Sequence, residues 1–162
     1  MTRAAPARRE GVAGAELATI LHHWRDVAPD DRMAHLIKDA MRAFDRSLQV
    51  RLATYGVPLG HWTFLRVLWQ SDGLTQRELS REAGVMEPTT VAALRSMTSR
   101  GLVVRRRLAG NRRKMHVFLT PKGRALERKL VPLAVAGVHP TAIAATRRTL
   151  RTMLENLARD GA

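Results

Sequence analysis

The chain has 162 residues, with 28 Lys or Arg against 14 Asp or Glu, so its formal net charge is +14 and a polyanionic partner is favoured. This length allows one domain with a hydrophobic core, plus helices that complete their burial on a second subunit. The absence of cysteine excludes disulfides, thiolate zinc sites and thiol redox sensing, and the lack of a long apolar run or a secretory signal leads us to expect a cytoplasmic protein without a membrane partner.

The N-terminal extension, residues 1–30, is rich in Ala, Arg and Gly, and we predict that it is partly disordered with a short helix over residues 16–27. Its pair His22 and His23, together with Asp26, is the nearest approach to a metal-binding spacing in the chain. Adjacent residues point away from each other on a helix, so we predict no metal site there. We expect no cofactor.

A long amphipathic helix is predicted within residues 31–58, where apolar residues recur at three- and four-residue spacing until Gly56 and Pro58 end the pattern. A similar apolar stripe occurs in the last predicted helix, which begins near Pro140. One small core is not expected to cover both stripes, so we expect them to be buried in a homodimer. The stripes contain Met33, Ile37 and Met41 in the first helix, and Leu150, Leu154 and Leu157 in the last.

A helix-turn-helix is predicted in the middle of the chain. Thr75 and Glu78 stand three residues apart as a capping box, which predicts a helix start. Gly84 turns the chain, and Pro88 at a first helical position predicts a second helix that ends at Gly101. Two short helices joined by a tight turn are typical of DNA-binding proteins.

A β-hairpin with a basic tip is predicted next. Residues 102–104 and 115–119 carry β-branched and apolar side chains, and they bracket the basic segment 105–114, in which residues 109–111 are typical of a turn. Within residues 95–130, twelve basic residues stand against one acid, so this segment holds +11 of the net charge. Such a concentration inside a folded region indicates a nucleic-acid-binding face.

A further helix is predicted to start at Thr120 and Pro121 and to run to Ala134, with a kink at Pro132. Together the elements predict a mostly α fold with a small β-hairpin wing (α+β), a winged helix-turn-helix with N- and C-terminal dimerisation helices. The predicted boundaries are 31–58 for the first dimerisation helix, 59–121 for the winged helix-turn-helix and 122–160 for the C-terminal dimerisation helices.

The order of these elements, with the strings LTQREL at 74–79, GLV at 101–103 and LTPKG at 119–123, resembles the MarR family of transcriptional regulators over residues 32–160. The resemblance implies a homodimer that binds double-stranded DNA at a pseudo-palindromic operator, with a recognition helix in the major groove and a wing in the adjacent minor groove. It also implies repression that is released by a small, often aromatic, carboxylate. The chain departs from the family pattern at Asn111, where the wing usually has Asp, and at Val91-Ala92, where a Thr-Arg pair is frequent.

The family pattern divides the recognition helix into two faces, with Thr90, Ala93, Leu94 and Met97 inside. The other face can read DNA because arginine bonds guanine bidentately and small apolar side chains touch thymine methyl groups, while a narrow minor groove attracts wing arginines. The predicted DNA-binding residues are Thr75, Gln76, Glu87, Pro88, Thr89, Val91, Ala92, Arg95, Ser96, Arg105, Arg107, Arg112, Arg113 and Lys114.

An effector pocket is predicted from His61 and Trp62, with Arg42 or Arg46 supplying a cation for a carboxylate. The alternative is that Trp62 belongs to the core and that His61 is a surface or capping residue. Two other functions stay open, namely an effector-independent architectural, constitutive or RNA-binding winged helix and a protein-interaction module. We expect no enzyme, because no serine lies in a nucleophile elbow and no Gly-rich phosphate loop occurs.

Overall fold

The computed structural model describes residues 33–108 and 111–160, and for residues 111–113 and 160 it describes the backbone only. The predictions for residues 1–30, including the helix over 16–27 and the pair His22 and His23, lie outside the described residues. We label the described elements in chain order as α1 (Met33–Ala53), α2 (Leu59–Gln70), α3 (Gln76–Ala83), α4 (Glu87–Ser99), β1 (Val103–Leu108), β2 (Asn111–Leu119), α5 (Pro121–Ala125), α6 (Glu127–Ala134) and α7 (Pro140–Asp160).

The predicted fold class is confirmed, since the described part is mostly helical with one antiparallel hairpin. One hydrophobic core joins the C-terminal part of α1 to α2, α3, α4, the base of the hairpin and α6, and so it crosses both predicted domain boundaries. Those boundaries stay predictions. The fully buried apolar side chains of the core are Leu48, Leu52, Phe64, Leu65, Leu68, Leu79, Leu94, Met97, Val103, Val117 and Leu130.

The helix-turn-helix consists of α3 and α4 and begins as predicted. The backbone N–H of Glu78 donates to Oγ1 of Thr75 at 3.3 Å, and the backbone N–H of Thr75 donates to Oε2 of Glu78 at 2.8 Å, which completes the capping box. Gly84 ends α3 with a φ of 62°, a left-handed conformation that favours glycine. Helix α4 starts at Glu87 rather than at Pro88; a proline is tolerated there because N–H groups of the first turn have no partner within the helix.

The predicted hairpin is present, and its strands extend beyond the apolar segments 102–104 and 115–119 into the basic segment 105–114. Arg105, Arg106 and Arg107 pair with Val117, His116 and Met115 of β2, so that only residues 109 and 110 separate the strands. Backbone pairing between strands does not depend on apolar side chains, and charged side chains stay hydrated where a hairpin extends beyond the core. The basic residues are therefore carried on strands.

The hairpin is joined directly to the start of the helix-turn-helix. The backbone N–H of Gly73 donates to the carbonyl of Val117 at 3.0 Å, and the N–H of Val117 donates to the carbonyl of Leu74 at 2.8 Å. Thr75 then forms a β-bridge with His116. These bonds attach residues 73–75 to the edge of β2, so the base of the wing and the start of α3 are held together.

Asp72 strengthens the same junction from the end of α2. Its Oδ1 accepts from the backbone N–H of Leu119 at 2.9 Å, and its Oδ2 lies 2.6 Å from a guanidinium nitrogen of Arg124. One carboxylate thus connects the loop before the helix-turn-helix to the end of β2 and to α5.

The helix predicted over residues 121–134 is divided into α5 and α6 at Leu126, whose carbonyl accepts the first hydrogen bonds of α6, and Pro132 lies within α6. The hydroxyl of Thr120 caps α5 by accepting from the N–H of Gly123 at 3.0 Å. A Cβ added at Gly123 would lie 2.1 Å from the carbonyl oxygen of Leu102, so only glycine fits here without displacing backbone.

The predicted dimerisation stripes of α1 and α7 are exposed within the chain. Met41 of α1 is 60% exposed, and Leu154 and Leu157 of α7 are 67% and 63% exposed. Among the helices of the described ranges, none has the length and apolar character that crossing a bilayer requires.

Candidate nucleic-acid interface

The inner face of α4 is buried as predicted. Thr90, Leu94 and Met97 are fully buried, and Ala93 is half-buried against the core. The hydroxyl of Thr90 donates to the carbonyl of Met86 at 3.1 Å, so the one polar group on this face is satisfied within the first turn. The phase of the helix is thereby fixed.

The outer face of α4 carries short side chains and a single long cation. Pro88, Thr89, Ala92 and Arg95 are exposed, Val91 and Ser96 are half-buried, and Ser99 is also exposed on this side. We did not predict Ser99, although its spacing of four from Arg95 would have indicated it. A helix with such small side chains can approach the floor of a major groove closely, with Arg95 as its one long hydrogen-bond donor.

Glu87 is the acid at the N-terminus of α4. Its Oε1 lies 3.9 Å from Nε of Arg77 on α3, and both side chains are largely exposed. A carboxylate on a surface that meets phosphates is unfavourable unless it is paired or accepts from a base such as the cytosine amino group. Arg77 therefore screens this charge in the free protein.

The wing presents cations on both of its faces. Arg105 and Arg107 share a face with Val103, and Arg106 lies on the opposite face with Val104, since alternate strand residues point to opposite sides. All three arginines are exposed, as is Lys114 on β2. Arg106 is as accessible as its neighbours. The side chains of Arg112 and Arg113 lie outside the described residues.

The two predicted DNA-binding elements border a common cleft of about 990 Å³, open to solvent, between α3 and the start of α4 on one side and β2 on the other. Arg77, Arg81 and Lys114 contribute cations to the cleft, while Met86 and Met115 contribute apolar surface. The wing and the helix-turn-helix are thus placed side by side. The lining residues are Thr75, Gln76, Arg77, Glu78, Ser80, Arg81, Gly84, Val85, Met86, Glu87, Lys114 and Met115.

Thr75 is occupied by its role in the helix cap. Its hydroxyl donates to the carboxylate of Glu78 at 2.7 Å and also accepts from the backbone N–H of Glu78. The side-chain and backbone hydrogen bonds from Thr75 hold the pKa of Glu78 below its ordinary value. Donation from the Thr75 hydroxyl to a phosphate would replace its bond to the Glu78 carboxylate but not the bond that it accepts from the Glu78 N–H, so Thr75 and the half-buried Gln76 both stay predicted DNA contacts.

The predicted effector residues are divided between the core and the surface. Trp62 is buried and packs edge-on against Trp69, with ring centroids 5.7 Å apart, as the core alternative stated. His61 is also buried, which makes its interpretation as a surface residue wrong. Arg42 and Arg46 are exposed on α1.

His61 is nevertheless chemically unusual. Its Nδ1 atom is buried without a hydrogen-bond partner in the described part of the chain. Burial, followed by the positive charge of Arg100, holds the pKa of His61 below its ordinary value of 6.5. A small cleft of about 260 Å³ borders Trp62, but its other walls are Thr63, Arg66, Val67, Gln70 and Glu82, and none of the other three predicted effector residues lines it.

No group of three or more metal-ligating side chains occurs in the ranges that the structure describes. The cleft between α3 and β2 is instead lined by cations and by apolar methionine side chains.

Comparison with known proteins finds similar transcriptional regulators by sequence and by structure. The sequence model of the MarR family matches residues 55–114. The HTH-type transcriptional regulator TtmR of Methylorubrum extorquens is 30% identical over 131 residues, which are 80% of this chain and 65% of that longer protein. The HTH-type transcriptional repressor Rv2887 of Mycobacterium tuberculosis is 30% identical over 137 residues, which are 83% of this chain and 99% of that protein.

A solved structure adds a complex with DNA. The transcriptional repressor CouR bound to a 23-mer DNA duplex is similar with a TM-score of 0.66 and 27% identity, over 78% of this chain and 92% of that chain.

Proposed function

The chain belongs to the MarR family of DNA-binding transcriptional regulators, and on this basis we propose that it is a repressor that binds a pseudo-palindromic operator as a homodimer. The observation that carries the proposal is the common cleft of the helix-turn-helix and the wing, to which Arg77, Arg81 and Lys114 contribute cations, in a chain whose net charge is +14. Regulators of this family act by binding DNA and not by catalysis.

We propose that α4 enters the major groove with its outer face toward the bases. Arg95 is placed to bond one guanine bidentately, and Ala92 and Pro88 are suited to contact thymine methyl groups. Ser96 and Ser99 offer hydroxyl groups for a base or a phosphate. This division of roles predicts a half-site with a G·C pair beside A·T pairs.

The wing supplies the second part of the proposed interface. Arg105, Arg106 and Arg107 are exposed on a hairpin whose base is fixed to α3, so they can follow the backbone beyond the end of α4. We propose that these arginines neutralise phosphates along a minor groove and that Arg112 and Arg113 reach into it.

Dimerisation is proposed from the exposed apolar stripes of α1 and α7. A chain of this size rarely leaves so many large apolar side chains in water, and a two-fold partner would cover them. The dimer would place two α4 helices about one duplex turn apart, which matches a symmetric operator.

Repression as the outcome is proposed from the relatives. Rv2887, a repressor by name, is covered by this chain over 99% of its length, and CouR is a repressor whose structure contains DNA. Both similarities extend over most of this chain rather than over the helix-turn-helix alone.

A small carboxylate, possessing an aromatic ring, is the proposed class of effector. The buried Nδ1 of His61, at the start of α2, has no hydrogen-bond partner among the described residues, and Arg42 or Arg46 on α1 would supply a cation. The alternative is an effector-independent architectural or constitutive DNA-binding protein, and no observation favours it over the regulator.

The test begins with duplexes selected from a randomised library by the purified protein. We expect a symmetric consensus, a protected footprint of discrete length, and an affinity that falls steeply with salt because phosphates are neutralised. Uniform coating of DNA without a consensus would contradict the repressor and support the architectural alternative. Titration of the complex with a panel of aromatic carboxylates then tests the effector, with His61→Gln as the matched variant.

A further inference from the structure

Met86 is an exposed methionine on the proposed DNA-binding surface. It is the N-cap of α4 and lies in the turn between the two helices of the helix-turn-helix. Its side chain is 77% exposed, the largest value among the exposed large hydrophobic residues of the described chain. The other highly exposed apolar residues, such as Leu154 and Leu157, lie on the stripes assigned to the dimer, so a homodimer of that kind would leave Met86 in solvent.

A second methionine stands across the same cleft. Met115 on β2 is 40% exposed and lines the cleft together with Met86. Met97, by contrast, is fully buried on the inner face of α4. The same helix region therefore offers one accessible thioether and one protected thioether.

We propose that Met86 is an oxidation site through which a peroxide lowers the affinity of the protein for DNA. The inference rests on the proposed DNA-binding function. The chain contains no cysteine, so no thiol competes for the oxidant and thioethers are its oxidisable sulfur atoms. Susceptibility to this reaction increases with exposure, which favours Met86 over Met115 and excludes Met97 in the folded protein.

The reaction is a two-electron oxygen transfer. The Met86 sulfur attacks one oxygen of the peroxide ROOH, the O–O bond breaks, an S–O bond forms, and ROH leaves with the remaining proton. Sulfur is oxidised by two electrons and the peroxide is reduced by two. The product is methionine sulfoxide, a polar group that a reductase can return to the thioether at the expense of a thiol reductant.

The sulfoxide changes the surface that must meet DNA. A thioether loses little when it is desolvated against sugar or base, whereas the sulfoxide oxygen must give up bound water and directs negative charge toward phosphates. Met86 is at the entry to α4, so this change occurs where the helix approaches the duplex. DNA would in turn cover Met86, and only the unbound protein would be oxidised rapidly.

The experiment uses the full-length protein with Met33, Met41, Met115 and Met153 replaced by Leu, so that Met86 and Met97 are the methionines left in the described residues. The protein is treated with hydrogen peroxide, and peptide mass spectrometry follows oxygen addition at both sites. Binding to the selected operator duplex is measured by fluorescence anisotropy before and after treatment. Each variant is compared with its own untreated sample.

We expect oxygen addition at Met86 but not at Met97, with a rise in Kd of about tenfold, which corresponds to about 1.4 kcal/mol. Operator DNA added first should slow the oxidation of Met86, and methionine sulfoxide reductase with dithiothreitol should restore the affinity. In the natural background, Met86→Leu should remove most of the sensitivity to peroxide, and Met86→Gln should reproduce the weakened binding. These two variants keep the test valid if the multiple Leu variant does not fold.

Two outcomes would overturn the inference separately from the function. Full oxidation of Met86 with unchanged Kd would overturn it, as would an equal loss of affinity by the peroxide-treated Met86→Leu protein. If the untreated protein has no affinity for any selected duplex, the proposed function fails first and the inference fails with it.

Discussion

The winged helix-turn-helix and the apolar stripes of α1 and α7 differ in how far their apolar side chains are buried within the chain. In the former, polar and apolar groups are satisfied within the chain, as the capping box of α3 and the fully buried side chains of α4 illustrate. In the latter, side chains such as Leu154 and Leu157 remain in water. The difference separates apolar residues that are buried within the chain from the stripes of α1 and α7, which the proposed dimer would cover.

The strongest test of the part that is buried within the chain is Gly123→Ala. The new Cβ would lie 2.1 Å from the Leu102 carbonyl oxygen, which is backbone and not free to move, so we expect the free energy of unfolding to fall by about 3 kcal/mol. Urea unfolding followed by circular dichroism measures this change. Gly60→Ala is the matched control, because a Cβ at Gly60 meets nothing within 4 Å; an equal loss in both variants would contradict the steric explanation.

The next largest effect should appear at the apolar stripes of α1 and α7, which the proposed dimer would cover. Leu154→Ala removes a side chain that is 67% exposed in the chain, and we expect it to weaken dimerisation by about 2 kcal/mol, because a two-fold interface loses the contact twice. Sedimentation equilibrium measures the monomer–dimer constant. Leu108→Ala on the wing, 42% exposed, should leave this constant unchanged.

A smaller effect is expected where the winged helix-turn-helix meets DNA. Arg95→Ala should weaken binding to the selected operator by about 1.5 kcal/mol and relax the preference for one G·C pair, since Arg95 is the one long donor on the outer face of α4. Competition anisotropy with operators altered at single base pairs reports both changes. Arg147→Ala removes the same charge from α7, and a similar loss of sequence preference in that variant would refute the specific role.

The smallest expected effect is the pH dependence that His61 gives to the free energy of unfolding. Its pKa is below 6.5 in the folded chain, so as the pH falls through about 6.5 the unfolded chain binds a proton that the folded chain does not, and stability declines until the pH reaches the lowered pKa. Above about pH 6.5 the contribution of His61 to the free energy of unfolding is constant.

Unfolding experiments across this range should show a flatter pH profile for His61→Gln than for the natural chain. His35→Gln is the control, because His35 is exposed on α1. A natural chain that gained stability on acidification through the same range would reverse the predicted sign.

Local chemistry made several elements predictable from the sequence. Thr75 with Glu78, and Gly84, fixed the position of α3, and the spacing of Thr90, Leu94 and Met97 agreed with the inner face that the family pattern assigned to α4. These signals depend on residues that are near each other in the chain, which is why they are readable without a structure.

The errors came from contacts between distant segments. Nothing near residues 105–107 reveals how far the strands extend into the basic segment, because arginine is not typical of strands. The burial of His61 was also missed, and the charge that lowers its pKa together with that burial comes from Arg100, which is distant in sequence. The side chains of Arg112 and Arg113 lie outside the described residues, and their role stays a prediction.

The bonds between residues 72–75 and β2 limit how such a regulator could be controlled. With Gly73 and Leu74 bonded to Val117, and Asp72 bonded to Leu119, the wing cannot swing away from α3 without losing backbone hydrogen bonds and an ion-paired carboxylate. In the proposed dimer, the wing and the helix-turn-helix of each subunit would therefore move as one rigid unit. An inducing molecule would therefore release DNA at lower cost by changing the distance between the two rigid units than by bending either of them.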